Sequence, residues 1–229
     1  MKVKSGVVSA VKWTVDAGTR IVDYVKERTQ AWNARLEEHK KEIAGRIEQE
    51  KYKGKVIERP QHRPEKAEIA QAQNCANLLR QCFPNGIAES MRHKTLEERE
   101  DAIMEFAQKG AKVFNVPISN VRVENIHAAV FGYYERNTNS LRINKLFLKE
   151  ELGAEEQIYT VIHELTHAQQ WHAVSTENAH GYSNSLLNEW SYNFEHYIPI
   201  AEGDEFYRKQ PVEEAAFWME QESKKLYNK

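Results

Sequence analysis

The run His163-Glu164-Leu165-Thr166-His167 combines residue types and a spacing that suit metal chemistry. Two histidines at i and i+4 lie on one helix face, one turn apart. Their ring nitrogens can then converge on one Zn²⁺ at bonds of roughly 2.0–2.1 Å. Glu164 stands beside the first histidine, where a carboxylate can accept a proton from water. The spacing works only on a helix. Residues 154–173 supply one independently, because Ile158, Val161, Ile162, Leu165 and Ala168 recur at helical period. The opposite face of that helix is expected to anchor in the core.

Other elements must position these groups. Glu65 to Phe83 reads as a helix on Ile69, Ala72, Ala76, Leu79 and Cys82, stopped by Pro84-Asn85-Gly86. Thr95 with Glu98 has the form of a capping box, and a helix follows to about Val113. The period then changes to two. Val121–Ile126, Ala129–Tyr134 and Leu141–Asn144 alternate as strands, with Glu135–Asn139 as a turn. A short antiparallel sheet built on a hairpin is the economical reading, with Gly153 closing that region. Ser185–Tyr197 is a further helix ended by Pro199, and Pro211 opens a last helix toward Lys225.

The 229 residues suffice for one large domain with an appendage. Five Trp, ten Tyr and eight Phe call for a packed core and disfavour collagen, low-complexity and coiled-coil readings. No apolar run approaches the roughly 20 residues of a membrane span. Residues 1–64 hold 15 Lys or Arg against nine Asp or Glu, and residues 65–229 hold 17 against 25, a balance of +6 and then −8. This asymmetry divides the chain into an N-terminal helical region (1–58), a Gly/Pro-bearing linker (59–64) and a main domain (65–229). Residues 6–52 read as a helix that packs on the body or on a partner protein. Nucleic-acid binding is not expected, since acids interleave the basic residues and the overall net charge is −2. Cys75 and Cys82 are seven residues apart on one helix, too far to bridge. With no secretory signal seen, a reducing, cytoplasmic setting is expected, with delivery by another route left open.

The sequence HELTHAQQ, with a hairpin before it and a glutamate-bearing helix after it, resembles the zincin metallopeptidases, and among them the gluzincin type. The resemblance spans roughly residues 97–225. It implies an α+β zincin-like domain: a small antiparallel sheet, an active-site helix and a glutamate helix. It also implies an edge strand that binds extended substrate by strand addition, with Ala129–Tyr134 and Leu141–Asn144 as candidates. The metzincin form is excluded, because Gln170 and Ala173 stand where a glycine and a third histidine would be needed.

A catalytic zinc normally has three protein ligands. The downstream stretch Tyr207, Pro211, Glu213, Ala216 resembles the Tyr-x-x-x-Pro-x-Glu-x-x-Ala arrangement of some bacterial and phage zincins. On that resemblance Glu213 is taken as the third ligand, with Glu189, Glu214, His180 and His196 as alternatives. His172 lies about 140° around the helix from His167 and reads as a surface histidine. Tyr182, His180, Tyr192, His196 and Tyr207 are all candidates to stabilise an oxyanion. Asn144, Glu189 and Asn193 are candidates to orient the ligand histidines.

The function implied is zinc-dependent hydrolysis of peptide bonds in a protein or peptide substrate, with His163, His167 and Glu213 on the metal and Glu164 as general base. The alternative is a non-catalytic structural or partner-binding protein on a zincin-like fold. The acidic main domain is expected to favour basic substrates.

Overall fold

This computed structural model describes residues 62–127, 130–149, 151–176 and 178–229. The N-terminal helical region (1–58) and the first half of the linker (59–61) lie outside the described residues. Seven α-helices and three strands are present among those described. They are α1 (Lys66–Cys82), α2 (Ile87–Arg92), α3 (Leu96–Val113), β1 (Asn120–Glu124), β2 (Gly132–Glu135), β3 (Ser140–Asn144), α4 (Glu151–Ser175), α5 (Asn184–Glu195), α6 (Asp204–Arg208) and α7 (Pro211–Tyr227). The class is therefore mixed α and β, rich in helix, with one small sheet.

The helix starts follow the chemistry of their first turns. Thr95 accepts from the Glu98 N–H at 3.2 Å, and Glu98 Oε2 accepts from the Thr95 N–H at 2.7 Å, which completes the capping box of α3. Ser183 caps α5 through the Leu186 N–H. The short helices α2 and α6 have no apolar period long enough to be seen in sequence.

Helix α4 is the axis of the fold. It packs against α2, α3, α5, α7 and two strands, so it is enclosed on nearly every side. Ile158, Val161, Ile162, Leu165 and Ala168 are all buried in the main core, as the periodicity requires. A helix so enclosed carries little amphipathic contrast. That makes the polar residues buried along it, among them His163, Glu164, Gln169 and Gln170, the feature that asks for an explanation.

The sheet departs from the expected antiparallel arrangement. Its order is β1-β3-β2, with β2 antiparallel and β1 parallel to β3. The four-residue turn 136–139 makes β2 and β3 a hairpin, with Asn139 at φ 51°. The segment between β1 and β2 carries the chain to the far side of β3, so β1 enters on the other edge. Asn144 anchors that segment by donating from Nδ2 to the Val130 and His127 carbonyls at 2.7 and 3.1 Å. Leu141 and Ile143 of the central strand are fully buried. Of the two candidate edge strands, only β2 has an open edge, because β3 lies between its neighbours.

Two glycines are set by close approach. Gly132 lies where a Cβ would come 2.8 Å from the Arg142 carbonyl oxygen and 2.9 Å from Thr160 Cγ2. Gly153 is within the first turn of α4 rather than at its boundary, which begins at Glu151. A Cβ there would run into the backbone carbonyl of Phe147. Gly153→Ala is therefore expected to destabilise the protein by about 1–3 kcal/mol in urea unfolding, since backbone cannot yield as a side chain can.

Cys75 and Cys82 both lie on α1 and are free. Burial pushes the Cys75 thiol up to about 12, so it stays protonated at pH 8. Alkylation at pH 8 followed by mass spectrometry is expected to modify only Cys82 in the folded chain, and both thiols in urea.

Candidate metal centre

The i, i+4 pair projects from α4 as its spacing requires. His163 Nε2 and His167 Nε2 face each other at 3.1 Å. Glu213, in the first turn of α7, completes a triangle: Oε2 lies 3.1 Å from His163 Nε2, and Oε1 lies 3.2 Å from His167 Nε2. Among the described residues this is the one group of three that meets metal-binding geometry. Bonds of roughly 2.0–2.1 Å at tetrahedral angles put ligand atoms about 3.3 Å apart. The two Glu213 oxygens stand at nearly that distance from the two imidazole nitrogens, so the three side chains could hold a metal ion between them.

The surroundings fix these groups in place. Pro211 opens α7, where its missing N–H costs nothing. Asn193 of α5 accepts the Val212 N–H at 3.0 Å and donates to Gln210 Oε1 at 3.0 Å. Gln210 in turn clamps the backbone of Ile198. Gln170 joins the two site helices: its Oε1 lies 2.9 Å from His167 Nδ1, and its Nε2 donates to the Val212 carbonyl at 2.9 Å. Ala215 and Ala216 are fully buried, as a close approach of α7 to its neighbours requires.

Each ligand histidine has a partner for its other nitrogen. His163 Nδ1 faces Glu220 Oε2 at 3.5 Å, and Phe217 packs edge-on against its ring at 4.6 Å. Glu220 is two turns beyond Glu213 on the same helix. Such partners set the tautomer and raise ligand basicity. If the cluster holds a metal ion, Glu220→Ala is expected to weaken its affinity by about 10–100-fold, read by competition with a chromophoric chelator.

Glu164 is buried at the floor of the same cleft. The Tyr134 N–H on the open edge of β2 donates to Glu164 Oε2 at 2.8 Å. That bond leaves Oε1 as the oxygen free of the backbone. Burial raises the Glu164 pKa above the ordinary carboxylate value, against the pull of both histidines and the Tyr134 N–H. Glu213 goes the other way. Burial would raise it, but the two histidines hold its carboxyl well below the usual range. Burial alone would lower both histidines. Hydrogen bonds to Glu213 and Glu220 outweigh it at His163, raising it to about 10, and the Glu213 charge raises His167. The buried carboxylate thus favours positive charge beside it, which a dication held by the same three groups would supply.

Two tyrosines complete the centre. Tyr197 donates to Glu213 Oε1 at 2.7 Å, and the Tyr207 ring meets that of Tyr197 edge to face at 6.2 Å. Burial raises both phenols far above their ordinary value, so both remain proton donors. With Gly132, Tyr133, Tyr134, Arg136, Glu164, His167 and Phe194 they line a cleft of about 270 Å³.

The other sequence candidates lie elsewhere. Glu189 is exposed on α5, and Glu214 is directed to a different face of α7 from Glu213. His180 contacts His172 at 2.8 Å and sits beside Gln169. His172 is thus half-buried against His180 rather than a plain surface residue. His196 stacks on Tyr192 at the surface. Tyr182 is held by Gln169 and packs on Trp190. Of the oxyanion candidates only Tyr207 reaches the cleft. Asn144 clamps a loop, and Asn193 holds the start of α7, so neither orients a ligand histidine. Tyr197, Gln170 and Glu220 went unrecognised in sequence. The i+3 spacing from His167 and the i+7 spacing from Glu213 were signals for the last two; Tyr197, in an irregular segment, had none.

Compared with family models, curated proteins and solved structures, the chain matches none. Among the described residues no helix is long and apolar enough to cross a membrane.

Proposed function

We propose that this chain is a zinc-dependent metalloendopeptidase of the zincin, gluzincin-like type. One observation carries the reading: the side chains of His163, His167 and Glu213 converge closely enough to share a metal ion, with the buried carboxyl of Glu164 in the same cleft. A purely structural metal site has no use for a carboxylate poised beside it.

His163, His167 and Glu213 would hold the ion. Zinc bound there supplies Lewis acidity, which polarises a carbonyl oxygen and makes water a stronger acid. Glu164 Oε1 takes a proton from the attacking water, while its Oε2 stays fixed by the Tyr134 N–H. As the water oxygen bonds to the carbonyl carbon, the C–N bond breaks and Glu164 delivers the proton to the leaving amine nitrogen. Tyr197 and Tyr207 are the donors closest to the charge that develops on the carbonyl oxygen. An extended peptide aligns on the open edge of β2 by adding a strand to it.

The test is hydrolysis of an unfolded protein such as casein by the purified full chain. Products with new amino termini are expected, lost on chelation and restored by zinc. Absence of cleavage by a zinc-loaded sample would overturn the reading.

A further inference from the structure

One cation stands in the cleft without an acidic partner. Arg136 follows β2 directly, two residues after the Tyr134 N–H that fixes the base. Its guanidinium lies 5.1 Å from the centroid of Trp171 and 5.3 Å from that of Phe194. Those two rings meet edge to face at 5.4 Å, and Arg136 Nη1 donates to the Phe194 carbonyl at 3.4 Å. The side chain therefore spans from the hairpin to α5 along the cleft wall.

Rings hold an arginine in place without neutralising it. The nearest acid in sequence, Glu135, is committed to Arg142 at 3.1 Å and to Thr138. Among the residues that line the cleft, Arg136 carries the one permanent positive charge. A pre-oriented guanidinium with unused donors is a receptor for a carboxylate, which it can bind through two parallel hydrogen bonds. The −8 balance of the main domain favours basic partners at long range, where salt screens it; Arg136 is exposed and acts on a carboxylate only at contact, through paired hydrogen bonds.

We propose that Arg136 is a specificity-determining residue that selects a substrate carboxylate within a few residues of the scissile bond. The inference rests on the metallopeptidase reading. The carboxylate has two sources, an Asp or Glu side chain or the carboxyl terminus of the peptide.

The zinc-loaded full chain and its Arg136→Gln and Arg136→Lys variants would be given pooled, randomised octapeptides. One pool is blocked at both ends and the other has a free carboxyl terminus. Mass spectrometry reads the residues around each new terminus. Preference for Asp and Glu over Asn and Gln, roughly 10–100-fold in the wild type, is expected at one position. It should vanish in Arg136→Gln and persist in part in Arg136→Lys. Cleavage confined to the free-carboxyl pool, lost in Arg136→Gln, would identify the chain terminus as the bound group. A purely structural role for Arg136 would lower cleavage of all peptides alike and leave any preference unchanged. Cleavage with no acidic preference, or with the same preference in Arg136→Gln, overturns the proposal and leaves the peptidase reading standing. No cleavage of any pool overturns both.

Discussion

Glu164→Gln is expected to lower kcat/KM for peptide hydrolysis by about 10²–10⁴-fold while zinc binding stays near its wild-type level. The substitution nearly conserves shape. A glutamine oxygen can still accept the Tyr134 N–H, so the side chain keeps its place against β2. The variant loses the ability to take a proton. Burial raises the Glu164 pKa above the ordinary carboxylate value, which makes it a stronger proton acceptor than an exposed carboxylate would be. The expected loss thus falls on kcat and kcat/KM alike, with little change in KM. Steady-state kinetics beside metal analysis of the same samples checks this. Equal activity in Glu164→Gln would show that the base lies elsewhere.

Glu213→Ala carries the second large effect. It removes one of the three proposed protein ligands, and structural zinc sites with four ligands are worth about 10–16 kcal/mol. An even share makes each ligand worth on the order of 3 kcal/mol, roughly a hundred-fold in zinc affinity. The loss also leaves Tyr197 without its acceptor and the two histidines without their counter-charge. Zinc should dissociate on mild dialysis, and hydrolysis should fall with it. Glu214→Ala, the adjacent residue on α7, is expected to retain zinc and activity. Titration against a chromophoric chelator separates the two variants, with circular dichroism to verify that both remain folded.

The parts of the site that regular periods encode were legible in the sequence. The histidine pair needs a helix, and the apolar residues of α4 announce one. Glu213 was reachable through Pro211 and Ala216, because a proline at the first helical position and small residues at a close approach leave marks in sequence. The sheet was read correctly as strands and incorrectly as wholly antiparallel. Period-two alternation identifies a strand, yet it says nothing about which edge of β3 receives β1. The tyrosine donors divide the same way. Tyr207 stood in the motif, whereas Tyr197 follows the end of α5, where only the folded path of the chain brings its hydroxyl to Glu213. Glu220 shows a different omission: it lay in plain view at i+7, but a second carboxylate on an acidic helix means nothing until His163 is seen beside it. The roles of residues 1–58 and of the linker rest on composition alone.

The central claim is that His163, His167 and Glu213 hold a zinc ion. It is tested most directly by elemental analysis of the purified full chain after zinc reconstitution and exhaustive dialysis. The account predicts about one zinc per chain, reduced sharply in Glu213→Ala. A chain that retains no zinc, with its fold intact, would contradict it.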